Sequence, residues 1–280
     1  ARTGMASIAG GMGGTMVSRL RALLVGLALW AAGPVPTAVA QAPAEAVLRV
    51  GTFPDNPPWE FKEDDRLAGF DVDLIEAIGK RLGLRVEFVG MPFGELLPAL
   101  AGDRIDVAIC SITVTPERRR RFDFTQPYYQ TSQGMVVMKS ARVRSLEDLA
   151  GKRVGTEPAS TNEQWLSENR ARYGFGPTVP IVGLERALQL LHSGELDAYF
   201  GDLPALLYQL LKQPELAVVV RLPTDDHYAI ALRLNSPLTA RIDGALGELK
   251  KDGTLAAIHQ HWFGMKPEPD SPVTTVLPRP

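Results

Sequence analysis

Short apolar segments alternate with longer amphipathic segments along most of the chain. The apolar segments predict β-strands at 47–52, 85–89, 107–110, 154–156, 179–182, 198–200 and 217–220. Apolar side chains spaced as on one helix face predict helices near 70–82, 92–101, 160–171, 184–193 and 202–212. This alternation is typical of an α/β protein whose sheets are largely parallel and carry helices on both faces.

The chain repeats short parts of itself in the same order. Arg-Val-Gly-Thr at 49–52 recurs at 153–156, and the helix end, turn and strand of 97–110 recur in form at 188–201. The repeats favour two similarly built lobes, and the 240 residues from 41 to 280 suit two lobes of ordinary domain size. Chance repetition is the alternative, because βαβ units often end alike.

The N-terminal 40 residues are typical of a secretion leader. Met16 is the natural initiator, Arg19 and Arg21 form a basic start, 22–32 are apolar, and Ala-Val-Ala at 38–40 is a cleavage site. The apolar run is too short for a permanent membrane span. With a single cysteine, Cys110, the chain can form no internal disulfide, and no cysteine stands at the cleavage site for lipid attachment. We therefore expect a mature protein that is free in the periplasm of a Gram-negative bacterium.

A candidate anion site follows the apolar run 105–110. Thr115 can cap a short helix, and Pro116 suits its first position. Arg118 is then held near a strand end beside Ser111 and Thr113, where a guanidinium can grip a carboxylate through two parallel bonds. A surface salt bridge from Arg118 to a neighbouring acid is the alternative, and the arginines at 119–121 are expected to form a solvated face.

Two segments give the chain a family resemblance. They are Gly-Phe-Asp-Val-Asp-Leu-Ile-Glu-Ala-Ile-Gly-Lys-Arg-Leu at 69–82 and the stretch 111–129, which contains Ser-Ile-Thr-Val-Thr-Pro-Glu-Arg and Phe-Asp-Phe-Thr-Gln-Pro-Tyr-Tyr. Over 48–263 the chain resembles the extracellular solute-binding proteins that serve polar amino-acid ABC transporters (family 3). The resemblance implies a two-lobe periplasmic-binding-protein fold of type II, with the ligand in a cleft between the lobes.

The resemblance also implies the domain organisation. Lobe 1 would comprise 44–131 and 226–264, and lobe 2 would comprise 132–225, with two crossing strands as the hinge. The proline-rich end, 265–280, lacks apolar periodicity, and we expect it to be disordered.

Ligands of open α/β sheets bind beyond the carboxyl ends of the strands. That rule alone selects Phe53, Asn56, Ser111, Thr113, Arg118, Glu157, Ser160, Thr161 and Asp202. The resemblance selects the same positions, and the candidate ligand site also includes Trp59, Asp71, Phe93 and Cys110.

The resemblance implies a role for several of these residues. Arg118 would bind the α-carboxylate of an amino acid, together with the helix N-terminus at 160–162, and Asp202 would bind the α-ammonium group. Ser111 and Thr113 would supply a backbone carbonyl and a hydroxyl. Asp202 could equally cap the helix after it, and Phe93, which would flank the ligand side chain, could instead pack in the core.

The departures from the family pattern give conflicting evidence on the ligand. Phe53 stands where cation-binding relatives often keep an aspartate, which argues against arginine or lysine. Asn56 replaces a stacking aromatic, and Cys110 replaces a common serine. Glu157 and Asp71 argue for a donor or a positive charge on the ligand, so the sequence does not select one amino acid.

We expect the protein to bind a free L-amino acid and deliver it to an ABC permease in the inner membrane. The sequence, with a net charge of −2, favours no nucleic acid, and it implies a monomer without cofactor or metal. His259 and His261 lie two apart, on different helix faces.

An enzyme is the alternative, since Thr-Asn-Glu at 161–163 resembles the pocket of cyclohexadienyl (prephenate/arogenate) dehydratases. There Glu163 would be a general acid if burial raised its pKa. In a plain binding protein Glu163 would face solvent or cap its helix.

Overall fold

The computed structural model describes residues 46–280, so the predicted leader lies outside the described part. The strands of this part are β1 (Ala46–Thr52), β2 (Asp55–Asn56), β3 (Glu60–Glu63), β4 (Arg66–Ala68), β5 (Leu84–Gly90), β6 (Val107–Ala108), β7 (Phe122–Phe124), β8 (Tyr129–Met138), β9 (Val154–Thr156), β10 (Thr178–Pro180), β11 (Ala198–Asp202), β12 (Leu216–Tyr228) and β13 (Ala231–Arg233). Its α-helices are α1 (Phe70–Leu82), α2 (Phe93–Ala101), α3 (Pro116–Arg119), α4 (Thr161–Tyr173), α5 (Leu184–Ser193), α6 (Leu203–Leu210), α7 (Thr239–Lys251) and α8 (Thr254–Phe263).

Lobe 1 is built on the sheet β5-β1-β6-β13-β7. Strand β1 pairs in parallel with β5 and β6, whereas β13 runs antiparallel to β6 and β7. Helix α1 packs on this sheet and against α7 and α8, with the predicted stripe of Phe70, Leu74 and Ile78 fully buried. A small antiparallel sheet of β2, β3 and β4 lies between β1 and α1 in the sequence.

Lobe 2 is built on the sheet β10-β9-β11-β8-β12, in which β9 pairs in parallel with both β10 and β11. Strands β8 and β12 pair antiparallel along their length, from Leu216 opposite Met138 to Tyr228 opposite Tyr129. At the latter end Tyr228 also forms a bridge with Thr113 of lobe 1. The structure thus confirms a two-lobe α/β fold. The lobe boundaries at 131–132 and 225–226 stay a prediction, and they fall within these two connecting strands.

The Arg-Val-Gly-Thr repeat has the same structural role in both lobes. Arg49 donates its N–H and its Nε–H to Asp106 Oδ2, at 2.8 and 3.1 Å, where the next parallel strand begins. Arg153 makes the same two bonds to Asp197 Oδ2, at 2.8 and 3.0 Å. Arg49 lies within β1 and Arg153 directly before β9, and each pair ties this central strand to the start of its parallel neighbour, which explains why the motif recurs.

The glycine of each repeat lies where a helix or loop side chain presses on the sheet. A Cβ on Gly51 would come within 2.3 Å of Ile105 Cδ1, and one on Gly155 within 2.4 Å of Ile181 Cδ1 and 2.9 Å of Leu196 Cδ2. These close approaches bring the two layers into contact, so glycine is required for packing at both positions.

The C-terminal segment corrects a prediction, because 265–280 is folded onto lobe 1 and is not disordered. Val273 is 2% exposed, Lys250 Nζ donates to Thr275 O at 3.0 Å, and the Leu277 N–H donates to Gln126 Oε1 at 3.1 Å. One buried valine and two backbone contacts leave no periodic pattern, so this docking has no signal in the sequence. No helix of the described part is long and apolar enough to cross a membrane.

Gly155→Ala should lower the free energy of unfolding by about 1–3 kcal/mol, because its methyl group overpacks against Ile181 and Leu196. The matched control is Gly244→Ala, in α7, where a Cβ would meet nothing within 4 Å. That change should raise the unfolding free energy by about 0.5–1 kcal/mol through helix propensity. Urea unfolding followed by circular dichroism measures both, and equal effects at the two glycines would contradict the packing account.

Candidate functional site

A cavity lies between the two lobes at the carboxyl ends of their central strands. Its empty volume, counting the open mouth, is about 510 Å³. The lining from lobe 1 consists of Phe53, Asp55, Asn56, Phe93, Cys110 and Ser111. The lining from lobe 2 consists of Glu157, Ser160, Asn162, Leu184, Tyr199, Gly201, Asp202, Ala205 and Leu206.

Arg118 is placed as the local sequence predicts. Thr115 Oγ1 accepts the Arg118 N–H at 3.1 Å and so caps α3, with Pro116 in the first turn. The guanidinium donates to Thr113 O at 2.8 Å and across the cleft to Ala159 O at 3.1 Å, and its Cζ lies 5.7 Å from the centre of the Phe93 ring.

Arg118 has no ion-pair partner among the residues that the structure describes. The surface salt bridge considered from the sequence is therefore not formed, while the side chains of Arg119, Arg120 and Arg121 are exposed. Burial lowers the pKa of Arg118 from its usual value. Two carbonyl acceptors leave a partly desolvated positive charge that an anion can neutralise.

An adjoining hollow contains Arg118, Thr161 and Ser160, and Ser160 also lines the main cavity. Ser160 Oγ accepts the Glu163 N–H at 3.1 Å, which makes Ser160 the N-cap of the thirteen-residue helix α4. The positive end of the α4 dipole thus lies beside Arg118, and the two together favour an anion.

Asp202 ends β11 and holds the N-cap position of α6, but its side chain makes no capping bond. Instead Oδ1 accepts from Asn162 Nδ2 at 3.0 Å, and Oδ2 accepts from the Tyr228 hydroxyl. Burial raises the pKa of Asp202, and Arg118 opposes that shift through its charge. Asp202 is therefore a buried acid that faces the cavity with neutral donors only.

Two more acids meet at the N-terminus of α5. Glu157 Oε2 accepts the Gly183 N–H at 2.9 Å, and Asp55, from the opposite lobe, accepts the backbone N–H of Glu185. A Cβ on Gly183 would lie 2.2 Å from Asp55 Oδ2, and Gly183 has a φ of 91°, so this approach requires glycine. Burial raises the pKa of Asp55 to about 6 and that of Glu157 to about 7.

Arg118 lines the adjoining hollow and not the main cavity. Four other sequence-predicted residues also lie outside the main cavity. Trp59 is fully buried and packs edge-on against Phe70 at 5.5 Å, so its size serves the core. Asp71 is also fully buried, below the cavity floor. Thr113 contributes its carbonyl to Arg118, and Thr161 lies in the adjoining hollow. Asp71 therefore offers no carboxylate to a ligand in this cavity, and the preference for a ligand with donors or a positive charge depends on Glu157.

Asp55 and Tyr199 line the cavity but were not selected from the sequence, and Asn162 was included only through the backbone of 160–162. Asp55 lies between Phe53 and Asn56, which the strand-end rule did select, so the same rule applied to the whole segment would have found it. Tyr199 precedes the strand end, and no signal in the sequence marks it. Phe93 both lines the cavity and packs against the apolar cluster of lobe 1, so its two proposed roles are compatible.

Glu163 lies outside the main cavity. Its Oε2 accepts the Ala159 N–H at 2.8 Å, so the carboxylate closes the first turn of α4 together with Ser160. Among the described residues no group of three His, Cys, Asp or Glu side chains is arranged to hold a metal ion.

Comparisons with known proteins identify the family of the chain. Residues 48–265 match the family model of the bacterial extracellular solute-binding proteins, family 3. The chain is 31% identical to the putative ABC transporter arginine-binding protein 2 of Escherichia coli, over 79% of this chain and 93% of that protein. It is 32% identical to the L-cystine-binding protein TcyJ of Escherichia coli, over 78% and 82% respectively. An ancestral arginine-binding protein solved with arginine is 40% identical, with a TM-score of 0.75, over 78% of this chain and 99% of that one. The same ancestral protein has been solved with glutamine.

Proposed function

The chain belongs to the bacterial extracellular solute-binding proteins of family 3, and from this premise we propose that its interlobe cavity binds a free L-amino acid for delivery to an ABC transporter. One observation carries the proposal. Arg118 of lobe 1 and Asp202 of lobe 2 present opposite, unpaired charges at the same cleft, which is the charge pattern that a zwitterion complements.

The α-carboxylate is assigned to Arg118. A guanidinium has five N–H donors, and the carbonyls of Thr113 and Ala159 accept only two bonds. A carboxylate would use remaining donors, neutralise the charge, and approach the N-terminus of α4. Because the Ala159 carbonyl belongs to lobe 2, the same arginine also ties the lobes together.

The α-ammonium group is assigned to Asp202. Its two partners, Asn162 and Tyr228, are neutral, so a ligand cation would be its first charged hydrogen-bond donor. Burial disfavours the ionised form of Asp202, and an ammonium group would restore it. Arg118 and Asp202 together select for an α-amino acid over a simple anion or a simple amine.

The ligand side chain is assigned to the cavity end that contains Asp55 and Glu157. Two carboxyl groups with nearby walls of Phe53 and Leu184 suit a long side chain that ends in N–H donors. Phe53 does not oppose a cation, because the face of an aromatic ring attracts a guanidinium. Arginine is therefore the first candidate and glutamine the second, as in the similar structures solved with those ligands.

The remaining parts of the proposal concern place and partner. The protein acts as a monomer in the periplasm and delivers its ligand to a permease in the inner membrane. The family membership and the relatives named as transporter-binding proteins support the transporter partner.

We place the protein among the binders, not the dehydratases. The candidate general acid, Glu163, caps α4 outside the cavity. The acids that line the cavity are Asp55, Glu157 and Asp202, and the proposal assigns them to the ammonium group and the side chain of an amino acid. Incubation of prephenate or arogenate with the protein is the direct check, and their decay should be no faster than in buffer.

Titration calorimetry with free L-arginine should give a dissociation constant in the micromolar range, which corresponds to about −8 kcal/mol. Arg118→Ala should weaken that binding by about 2–5 kcal/mol, because the ligand carboxylate loses its charged partner. Arg120→Ala is the control, since this neighbouring side chain is exposed. Equal losses of affinity in both variants would show that Arg118 is not the residue that binds the ligand carboxylate.

The pH dependence of binding should distinguish arginine from glutamine. A cationic side chain favours ionised Asp55 and Glu157, whose pKa values of about 6 and about 7 lie above the usual range. Arginine affinity should therefore fall as the pH drops from 8 to 5, and binding near pH 6.5 should release protons, whereas glutamine affinity should change less. Calorimetry in buffers of different ionisation enthalpy measures the released protons. Glu157→Gln should flatten the arginine profile, and a profile unchanged by this variant would remove Glu157 from the side-chain subsite.

A further inference from the structure

A second pair of acids lies in the core of lobe 1, beneath the cavity floor. Glu60 of β3 and Asp71 of α1 are both fully buried, with no measurable exposure. Neither forms an ion pair with any arginine, lysine or histidine of the described residues. Two adjacent ionised carboxylates in such a place would be strongly unfavourable.

The hydrogen bonds of the pair leave one oxygen on each acid without a donor. Glu60 Oε1 accepts from Asn56 Nδ2 at 3.0 Å and from the Cys110 thiol at 3.1 Å. Asp71 Oδ2 accepts from the Ser111 N–H at 2.7 Å and from the Tyr128 hydroxyl at 2.9 Å. No described residue donates to Glu60 Oε2 or to Asp71 Oδ1.

The two carboxyl groups lie close enough to each other for a hydrogen bond between them. Carboxylates have no hydrogen to donate, so such a bond requires one proton between the two acids. Asp71 accepts two further donors, one of them a backbone N–H, and it is the better site for the negative charge.

We propose that Glu60 is protonated at neutral pH, donates its Oε2–H to Asp71 Oδ1, and acts as a neutral positioning residue for the wall of the ligand cavity. The groups that it positions are Asn56 and Ser111. The link to ligand binding rests on the proposed function, whereas the protonation of Glu60 does not.

The positioning role follows from what the pair holds in place. Asn56 Nδ2 donates both to Glu60 Oε1 and to Ser111 Oγ at 3.0 Å, which fixes the amide of a cavity residue. Ser111 has a φ of 41°, in the left-handed region that a serine rarely adopts, and its N–H is held by Asp71. Loss of the shared proton would place a second negative charge under both residues.

The surroundings of the pair preserve the proton. The ionisable groups that contact it are the Cys110 thiol and the Tyr128 hydroxyl, and burial raises the pKa of both, so each remains a protonated donor. Burial, followed by the charge of Asp71, raises the pKa of Glu60 well above its usual value. Burial also raises the pKa of Asp71, to about 6, while its hydrogen bonds oppose the shift.

The sign of the pH effect on stability follows from these shifts. The unfolded chain loses the Glu60 proton near the ordinary glutamate pKa of about 4.3, whereas the folded chain keeps it to higher pH. This contribution to stability is therefore fully present below that value and declines as the pH rises toward the pKa of the folded protein.

Glu60→Gln replaces the protonated acid with an isosteric neutral amide. Its Nε2–H₂ can donate to Asp71 Oδ1, and its Oε1 can accept from Asn56 and Cys110, so the hydrogen bonds survive without a titrating group. The quantity to follow is the ratio of two unfolding equilibrium constants, that of the wild type divided by that of the variant. We expect this ratio to grow about tenfold per pH unit from pH 5 to 8, because unfolding of the wild type releases the Glu60 proton. Urea unfolding at several pH values, without ligand, measures this ratio. A ratio that does not change with pH, or a variant that is the less stable protein at pH 8, would overturn the protonated state.

The positioning role is tested by arginine binding at pH 7. Glu60→Gln should keep the dissociation constant within about twofold, while Glu60→Leu, which cannot bond to Asn56 or Asp71, should weaken binding tenfold or more. Circular dichroism establishes that each variant is folded, and the glutamine variant decides the outcome if the leucine variant does not fold. A tenfold loss in the folded glutamine variant, or none in the folded leucine variant, would refute the positioning role. If the wild type binds no amino acid, the proposed function fails, and the unfolding experiment still decides the state of Glu60.

Discussion

The cleft depends on one electrostatic constraint: a guanidinium and a carboxylate lie between the lobes without charged partners. Arg118 bonds only to carbonyls, and Asp202 bonds only to an amide and a phenol. A fold selected for stability alone would pair such charges or leave them in water, because a partly desolvated charge is costly. The surrounding elements keep them apart, since Arg118 is fixed in α3 of lobe 1 and Asp202 at the end of β11 in lobe 2. The proposed ligand, a zwitterion, would neutralise both charges at once and would link the lobes.

Many residues of the cleft can be predicted from the sequence, because they stand at the carboxyl ends of strands that the sequence predicts. The alternation of apolar and amphipathic segments locates the central strands of both sheets, and parallel strands present their carboxyl ends at one edge. Ser111, Glu157 and Asp202 can therefore be assigned to the cleft from the sequence alone. The start of α3 is equally predictable, since Thr115 and Pro116 specify a helix start through purely local chemistry.

The residues and the segment that the sequence predicted incorrectly, or did not predict, have physical explanations. Trp59 and Asp71 were selected through the family resemblance, but sequence spacing does not tell whether a side chain points into a cleft or into the core below it. Asp55 is held by a partner far along the chain, the N-terminus of α5, which only the folded structure brings near. The C-terminal segment lacks periodicity and so resembles a disordered tail, whereas its docking depends on single contacts with Lys250 and Gln126.

Acids dominate both sides of the cavity floor, yet their environments assign them different charges. Asp55 and Glu157 lie at a helix N-terminus and line the cavity, so a cationic ligand would favour their ionised forms. Their pKa values are raised to about 6 and about 7, so their charge changes near neutral pH. Glu60 is sealed from the cavity by Asn56 and Cys110, so no ligand cation can compensate its charge. Keeping a proton there lets the protein use a carboxyl group as a hydrogen-bond donor and acceptor at once. Carboxyl groups that line the cavity can thus ionise beside a ligand cation, whereas the buried carboxyl group of Glu60 stays neutral and positions its neighbours. The difference depends on whether a cation can reach the group.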